Sequence, residues 1–155
     1  MKVKDVMTSK VITVKEDQTK QQAARLLSQY RISGLPVVNN DNVLVGVVTE
    51  YDVIAKEGKT VGDIMTSGVI SVAPDTDLEE ASHILVHEHI RRLPVLDQGR
   101  VIGIMSRGDV VKEMATRWVC YVCGEIVHSE KQPERCPRCG AVGVATSGES
   151  VSPGS

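Results

Sequence analysis

The chain has 155 residues, of which 41% are hydrophobic, 25% charged and 3% aromatic, with a formal net charge of -2. That is the composition of a globular protein, and charges of both signs interspersed along it exclude a global attraction to nucleic acid or to an anionic membrane. No apolar run approaches the roughly 20 residues needed to cross a bilayer, and Met1-Lys2-Val3-Lys4-Asp5 lacks the apolar stretch of a secretory signal, so a cytoplasmic location is expected.

In chain order, Met7-Thr8 is followed by Val11-Ile12-Thr13-Val14, a β-branched run that predicts a short strand. Asp17 is placed to cap the next segment, where Ala23, Leu26, Leu27 and Tyr30 recur at helical spacing. Two strand-like runs follow, Leu35-Pro36-Val37-Val38 and Val43 to Val48, separated by the turn Asn39-Asn40-Asp41-Asn42. A helix over 50–56 ends near Gly58. The order then begins again. Val69-Ile70-Ser71 predicts a strand, and Thr76 with Glu79 fits a capping box for a helix carrying Ala81, Ile84, Leu85 and Glu88. Asp97-Gln98-Gly99-Arg100 predicts a hairpin turn before the last strand and helix of this half.

The two halves are copies. Residues 3–38 and 61–96 are identical at 15 of 36 positions at an offset of 58. After a one-residue deletion the register continues at 57, pairing Gly46-Val47-Val48-Thr49-Glu50-Tyr51-Asp52 with Gly103-Ile104-Met105-Ser106-Arg107-Gly108-Asp109. Each copy reads strand, helix, strand, strand, helix, and a unit that leaves an apolar face open stacks on its twin. The cleft between the twins is the natural place for a ligand. Boundaries are expected at 1–58 and 59–116 for the copies, 117–145 for a cysteine-bearing module and 146–155 for a tail of linker composition.

The Asp-Val/Ile-Met-Thr opening, the Leu-Pro-Val strand and the Gly-x-x-Thr/Ser-x-x-Asp signature, present in both copies, resemble a tandem pair of CBS domains, named after cystathionine β-synthase. The resemblance covers about residues 2–115 and implies an α+β fold in which two β-α-β-β-α repeats pack as a pseudo-twofold pair. It also implies an adenosyl ligand such as AMP, ADP, ATP or S-adenosylmethionine. The chemistry of the signature agrees: Asp52 and Asp109 could accept from ribose hydroxyls, Thr49 and Ser106 could donate to a phosphate beside a helix start, and Gly46 and Gly103 allow close backbone approach. A helix cap is the competing use of the same residues. Ile12 and Ile70 resemble family positions that contact adenine. Arg91, Arg92 and Arg107 of the second copy stand where the first has Ser33, Gly34 and Glu50, so phosphate is expected on the Asp109 side, with a weaker or less charged ligand by Asp52.

All four cysteines fall in one segment, as Cys120-x-x-Cys123-Gly and Cys136-x-x-Cys139-Gly. Paired knuckles of this kind turn four sulfurs onto one ion, with Zn–S distances of about 2.3 Å. The segment resembles a zinc ribbon and also a rubredoxin, which holds iron in the same geometry. A shorter spacer and few aromatics favour zinc as the cofactor, with iron the alternative. Arg117, Lys131, Arg135 and Arg138 lie near the anionic cluster in sequence, and His128 is read as exposed rather than as a ligand. His83 and His87, four apart on a helix, lack a third ligand and are read as a helix surface.

No catalytic constellation is present in these motifs, and the protein is read as a regulator rather than an enzyme. Three functions compete. The first is an adenine-nucleotide sensor that forms a homodimer and acts on a separate protein effector, its metal module presenting a surface. The second is an iron-loaded redox carrier under nucleotide control. The third is a nucleic-acid regulator, against which stand the few positive residues of the ribbon, offset by Glu125, Glu130 and Glu134.

Overall fold

The computed structural model describes residues 1–142 and the backbone of 144–146, and the tail expected over 146–155 lies, beyond Thr146, outside the described residues. The chain divides into two compact units, Met1–Ser106 and Arg107–Ser155.

The first unit contains most of both copies. The opening of each copy forms a single helical turn, α1 (Val3–Val6) and α4 (Val61–Ile64). The repeated aspartate of each opening caps its own turn: Lys2 N donates to Asp5 Oδ2 at 2.8 Å, and Thr60 N donates to Asp63 Oδ2 at 3.1 Å. The first copy continues with β1 (Val14–Lys15), α2 (Lys20–Tyr30), β2 (Gly34–Val38), β3 (Leu44–Thr49) and α3 (Glu50–Ala55). β2 lies between a parallel β1 and an antiparallel β3. In the second copy, α5 (Leu78–His87) precedes the hairpin of β4 (Arg92–Asp97) and β5 (Arg100–Ser106). The equivalent of β1 is reduced to one parallel bridge, Val72 to Val95. The hairpin turns on Gln98 and Gly99, with φ of 51° and 79°, the left-handed pair that a two-residue loop requires. In the first copy, Asn39 Oδ1 accepts from the N–H groups of Asp41 and Val43 in a longer loop, and this accounts for the change of offset.

Several boundaries differ from the sequence reading. The strand expected at Val11–Val14 begins only at Val14, where pairing with Val37 starts. Thr19 rather than Asp17 caps α2, because its hydroxyl reaches Gln22 N at 3.1 Å while Gln22 Oε1 accepts from Thr19 N at 2.9 Å. Asp77, not Thr76, stands at the start of α5, and the hydroxyl of Thr76 accepts instead from Ala73 N at 3.1 Å.

The copies exchange their openings. Thr8 bridges Ile104 of the second copy, and Thr66 bridges Val47 of the first. Val3 N donates to Thr76 O and Gly62 N to Glu16 O. Val61 and Ile64 are fully buried in the first copy's core with Val14, Ala23, Leu27, Leu35, Val37 and Val48. Each half therefore completes its core with its twin's first turn. The repeated glycine makes room for the crossing: a Cβ on Gly46 would stand 2.8 Å from Thr66 O, and one on Gly103 would collide with Met7 Sδ.

The second unit holds α6 (Arg107–Thr116) and a small antiparallel sheet of β6 (Arg117–Cys120), β7 (Ile126–His128) and β8 (Val144–Thr146) in the order β7-β6-β8. Glu113, on α6, meets His128 Nε2 at 3.0 Å, and Ser129 N donates to Thr116 O. Helix and sheet are thereby joined within this unit.

Candidate functional site

A cavity of about 590 Å³ opens in the first unit between the two copies. Its walls are largely apolar, from Pro36, Val47, Val69, Ile70, Ile90 and Ile104. Its polar rim has two parts: Thr49, Glu50 and Thr66 on one hand, Ser33, Arg91 and Arg92 on the other. Arg92 Nη1 donates to Ser33 Oγ at 2.6 Å, which fixes the guanidinium at the start of β2. The pair Arg91-Arg92 thus shares a cavity with the first-copy signature residue Thr49, where the sequence had paired it with Asp109. The reason is the pseudo-twofold packing, which brings the starts of β2 and β4 together so that Ser33-Gly34 and Arg91-Arg92 face one space.

Asp52 lies behind this wall. It is 2% exposed, the buried charged residue among the described residues of the core, and does not line the cavity. Its Oδ2 accepts from Thr49 N at 2.9 Å and Thr49 Oγ1 at 3.0 Å, and its Oδ1 pairs with Lys56 Nζ at 2.8 Å and accepts from Thr66 Oγ1 at 3.4 Å. Burial works to raise its pKa, but the Lys56 ammonium and the Thr49 donors outweigh burial and hold the carboxyl below its ordinary value. The helix-start donors expected to face a phosphate are also in use: Glu50 N donates to Ser33 O and Asp52 N to Thr49 Oγ1.

Of the other sequence-derived residues, Ile70 lines the cavity, whereas Ile12 packs at the edge of the first-copy core. Gly46 and Gly103 accommodate the crossing Met-Thr segments. Ser106 closes β5 in the first unit, and Arg107 and Asp109 open α6 in the second. The sequence reading passed over Thr66, although its Met-Thr dipeptide occurs in both copies. Nothing in a repeat offset tells which copy such a segment will serve.

The cysteine module brings four sulfurs to within 4.8 Å of one another, with Cys120 to Cys139 at 3.7 Å and Cys123 to Cys136 at 3.6 Å. A tetrahedral ion with four sulfurs at about 2.3 Å has S–S edges of about 3.8 Å, so donor type, number and spacing all fit a metal. Gly124 and Gly140, with φ of 78° and 75°, turn each knuckle and donate to the carbonyls of Cys120 and Cys136 at 2.9 Å. Backbone N–H groups of Cys123 and Val122 draw the Cys120 thiol down to about 7, and the N–H of Cys139 also lowers Cys136. For Cys123 the N–H of Glu125 works downward, but burial and the neighbouring sulfurs prevail and push the thiol up to about 12. Four thiolates without a cation repel one another, which is the electrostatic reason such a cluster holds an ion. Trp118 and Ala141 pack against the buried Cys120 and Cys136. Arg138 pairs with Glu125 at 3.2 Å, and Arg135 donates to Gly140 O. His128 is half-exposed on Glu113, outside the cluster. The rings of His83 and His87 stack at 5.6 Å. Among the described residues, only the cysteines bring three or more ligand atoms together.

Two copies of one unit, cross-bridged about a shared cavity, define a CBS pair, and the chain belongs to the CBS domain family: residues 3–58 and 61–116 each match its profile. Residues 118–143 match the rubrerythrin, rubredoxin-like domain. The chain is 38% identical over 115 residues to the CBS domain-containing protein YhcV of Bacillus subtilis, an alignment covering 70% of this chain and 81% of that one. It is 41% identical over 114 residues to inosine-5'-monophosphate dehydrogenase of Methanocaldococcus jannaschii, covering 72% of this chain but only 23% of the dehydrogenase. Among solved structures, Arabidopsis thaliana CBSX2 in complex with AMP superposes with a TM-score of 0.68 at 38% identity, covering 71% of this chain and 93% of that one. The CBS pair of protein MJ0100 in complex with 5'-methylthioadenosine and S-adenosyl-L-methionine gives 0.67 at 30% identity, covering 72% and 97%. No helix among the described residues is long and apolar enough to cross a membrane.

Proposed function

We propose that this chain is a regulatory adenine-nucleotide-binding protein whose ligand enters the cavity between the CBS copies. The observation that carries the proposal is the pairing of apolar walls with Arg91 and Arg92 at one rim. An adenine ring is matched by Ile70, Ile90 and Ile104, and a phosphate by the two guanidinium groups. Lys56 neutralises the buried carboxylate of Asp52, and Glu50 offsets only one of the two arginines, so the rim keeps a net positive charge and favours a phosphorylated adenosine over the cationic S-adenosylmethionine. The AMP held by CBSX2 supports this ligand class. Ser106, Arg107 and Asp109 make up a second signature, which we assign to the same chemistry. The protein acts from the cytoplasm as a homodimer on a separate effector, and the four-cysteine module holds a structural metal and presents a surface to that partner. Calorimetry with AMP, ATP and S-adenosylmethionine tests the ligand reading. Tighter binding of the nucleotides that weakens with salt is the expected result, and no heat with any of the three overturns it.

The rubredoxin-like match favours one second reading, an iron-loaded electron carrier under nucleotide control. Metal analysis of untagged protein separates the readings: zinc without a visible absorption band supports the structural role, and iron with a band that bleaches on reduction supports the carrier.

A further inference from the structure

The copies keep one face of their long helix and change the other. At the offset of 58, Ala23 and Leu27 of α2 correspond to Ala81 and Leu85 of α5, and all four are buried. Four exposed positions differ together: Gln21, Gln22, Arg25 and Gln29 of α2 stand where α5 has Glu79, Glu80, His83 and His87. Packing against the core explains the first set and places no demand on the second. The guanidinium of Arg25 would repel a cation at the centre of that face, whereas an imidazole ligates one. Between Leu78 and His87 the helix carries no lysine or arginine.

His83 and His87 lie one turn apart on the exposed face, and helical side chains lean towards the N-terminus, so His87 leans over His83 and His83 towards Glu79 and Glu80. The two rings are nearly parallel, 11° apart, with centroids separated by 5.6 Å. Among the described residues neither imidazole forms a hydrogen bond or ion pair, in contrast to His128, which meets Glu113 at 3.0 Å. Two nitrogens on one ion at about 2.0–2.1 Å stand at most about 4 Å apart. A turn of each ring reaches that separation from the observed stacking, and the i, i+4 pair is the arrangement by which helical His-x-x-x-His motifs hold zinc. Glu79 and Glu80 suit the first turn of any helix by charge alone, while a cation at His87 in the last turn meets the negative end of the helix dipole.

We propose that His83 and His87 form a second metal site, separate from the cysteine cluster: a two-imidazole chelate for a divalent ion of the nickel, copper and zinc class, which imidazole suits. Water completes the coordination, and Glu79 and Glu80 add negative charge on its N-terminal side. The site belongs to the second copy alone and is independent of the nucleotide reading.

The test is calorimetric titration of nickel(II) into the full chain with its cysteine module loaded with zinc. One nickel ion is expected to bind without release of zinc. His83→Ala and His87→Ala should each weaken binding by about tenfold or more, because the second imidazole attaches intramolecularly, and the double variant should be little worse than either single one. Replacing the pair by the first copy's residues, His83→Arg with His87→Gln, should abolish binding yet leave metal-free thermal unfolding unchanged, since the same residues occupy this face of α2. His128→Ala should bind nickel as wild type does. Nickel affinity indifferent to the His83 and His87 substitutions overturns the inference, and so does uptake that expels zinc or produces thiolate-to-nickel absorption, which would place the ion on the cysteines.

Discussion

Replacing Asp52 by Asn tests the network behind the cavity through stability. The change is nearly isosteric and keeps an oxygen that can still accept from Thr49 N, so the capping interaction at the start of α3 survives. What is lost is the charge at Oδ1 that pairs with Lys56 at 2.8 Å and receives Thr66 Oγ1. Removing one partner of a fully buried ion pair costs about 3–5 kcal/mol. Lys56 is 40% exposed and can rehydrate, which brings the expectation down to about 2–3 kcal/mol, in the range of one to two hydrogen bonds to a charged group. For a chain of this size each kcal/mol lowers the midpoint of thermal unfolding by about 2–4 °C, so a fall of roughly 5–10 °C is expected. The sign with pH follows from the lowered pKa of Asp52. A carboxyl that ionises more readily in the folded chain contributes stability that is complete above its ordinary value of 3.8 and is lost as the pH falls through the folded-state value. The difference between wild type and Asp52→Asn is therefore constant from pH 7 to about 5 and shrinks below about 4. Urea unfolding across that range is the assay. A variant within 0.5 kcal/mol of wild type at pH 7, or a difference that grows on acidification, would refute the role given to the ion pair.

Three further outcomes are expected. Gly46→Ala places a Cβ 2.8 Å from Thr66 O and 3.0 Å from Met65 Sδ and should cost about 1–3 kcal/mol in chemical unfolding, whereas Gly34→Ala, whose nearest contact is 3.5 Å, should be close to neutral. Arg92→Met should weaken AMP binding at low salt by more than it weakens adenosine binding and should flatten the salt dependence of the AMP titration; equal losses for the two ligands would remove the arginine from the phosphate site. Chelation of the metal should unfold the cysteine module, read by a red shift and quenching of Trp118, the single tryptophan, which packs on Cys120 and Cys136. Unchanged Trp118 emission after verified metal removal would show that the module is stable without its ion.

The repeat, the order of elements and the metal ligands could be read in advance because each is a local or periodic signal. Leu35-Pro36-Val37 and Leu93-Pro94-Val95 are strands buried on both faces, and nearly continuous apolar runs announce that. Cys-x-x-Cys-Gly announces a knuckle because the glycine must adopt positive φ a fixed distance from two sulfurs. What escaped was determined by pairing between distant segments. Val11-Ile12-Thr13 has strand propensity, yet no neighbour reaches it before Val14, so composition overstated the strand. Asp17 and Thr76 are good capping residues placed one or two positions early. The helices begin where Lys20 N donates to Lys59 O and where Leu78 N donates to Met1 O, and tertiary partners decided the start in both cases. The place of Arg91 and Arg92 has the same cause. A duplicated sequence suggests that each copy lines its own cleft, whereas the facing strands put Arg91 and Arg92 in one cavity with Ser33, Gly34 and Thr49 of the first copy.

The helix after each signature shows how far the copies have diverged within that shared plan. Lys56 and Glu113 occupy the same position of the repeat with opposite charge. At the C-terminal cap of α3, Lys56 turns inward to the buried Asp52, and the carbonyl of Lys56 accepts from Lys20 Nζ at 2.6 Å, so the helix is tied to its own signature and to α2. On α6, Glu113 meets His128 Nε2 at 3.0 Å and Arg117 Nε at 4.0 Å, both in the sheet that carries Cys120. No linker separates Thr116, the last residue of α6, from Arg117, the first of β6. Charge reversal at one position has therefore accompanied a change of attachment, from pairing with the buried Asp52 in the first copy to anchoring the cysteine module in the second. Glu113→Lys tests that division directly: it places a cation against Arg117 and His128 and should loosen the module, read as earlier unfolding by Trp118 emission, while the cooperative unfolding of the first unit, followed by far-UV circular dichroism, stays where it was. A matching shift in both signals would mean that the helix serves the two units alike.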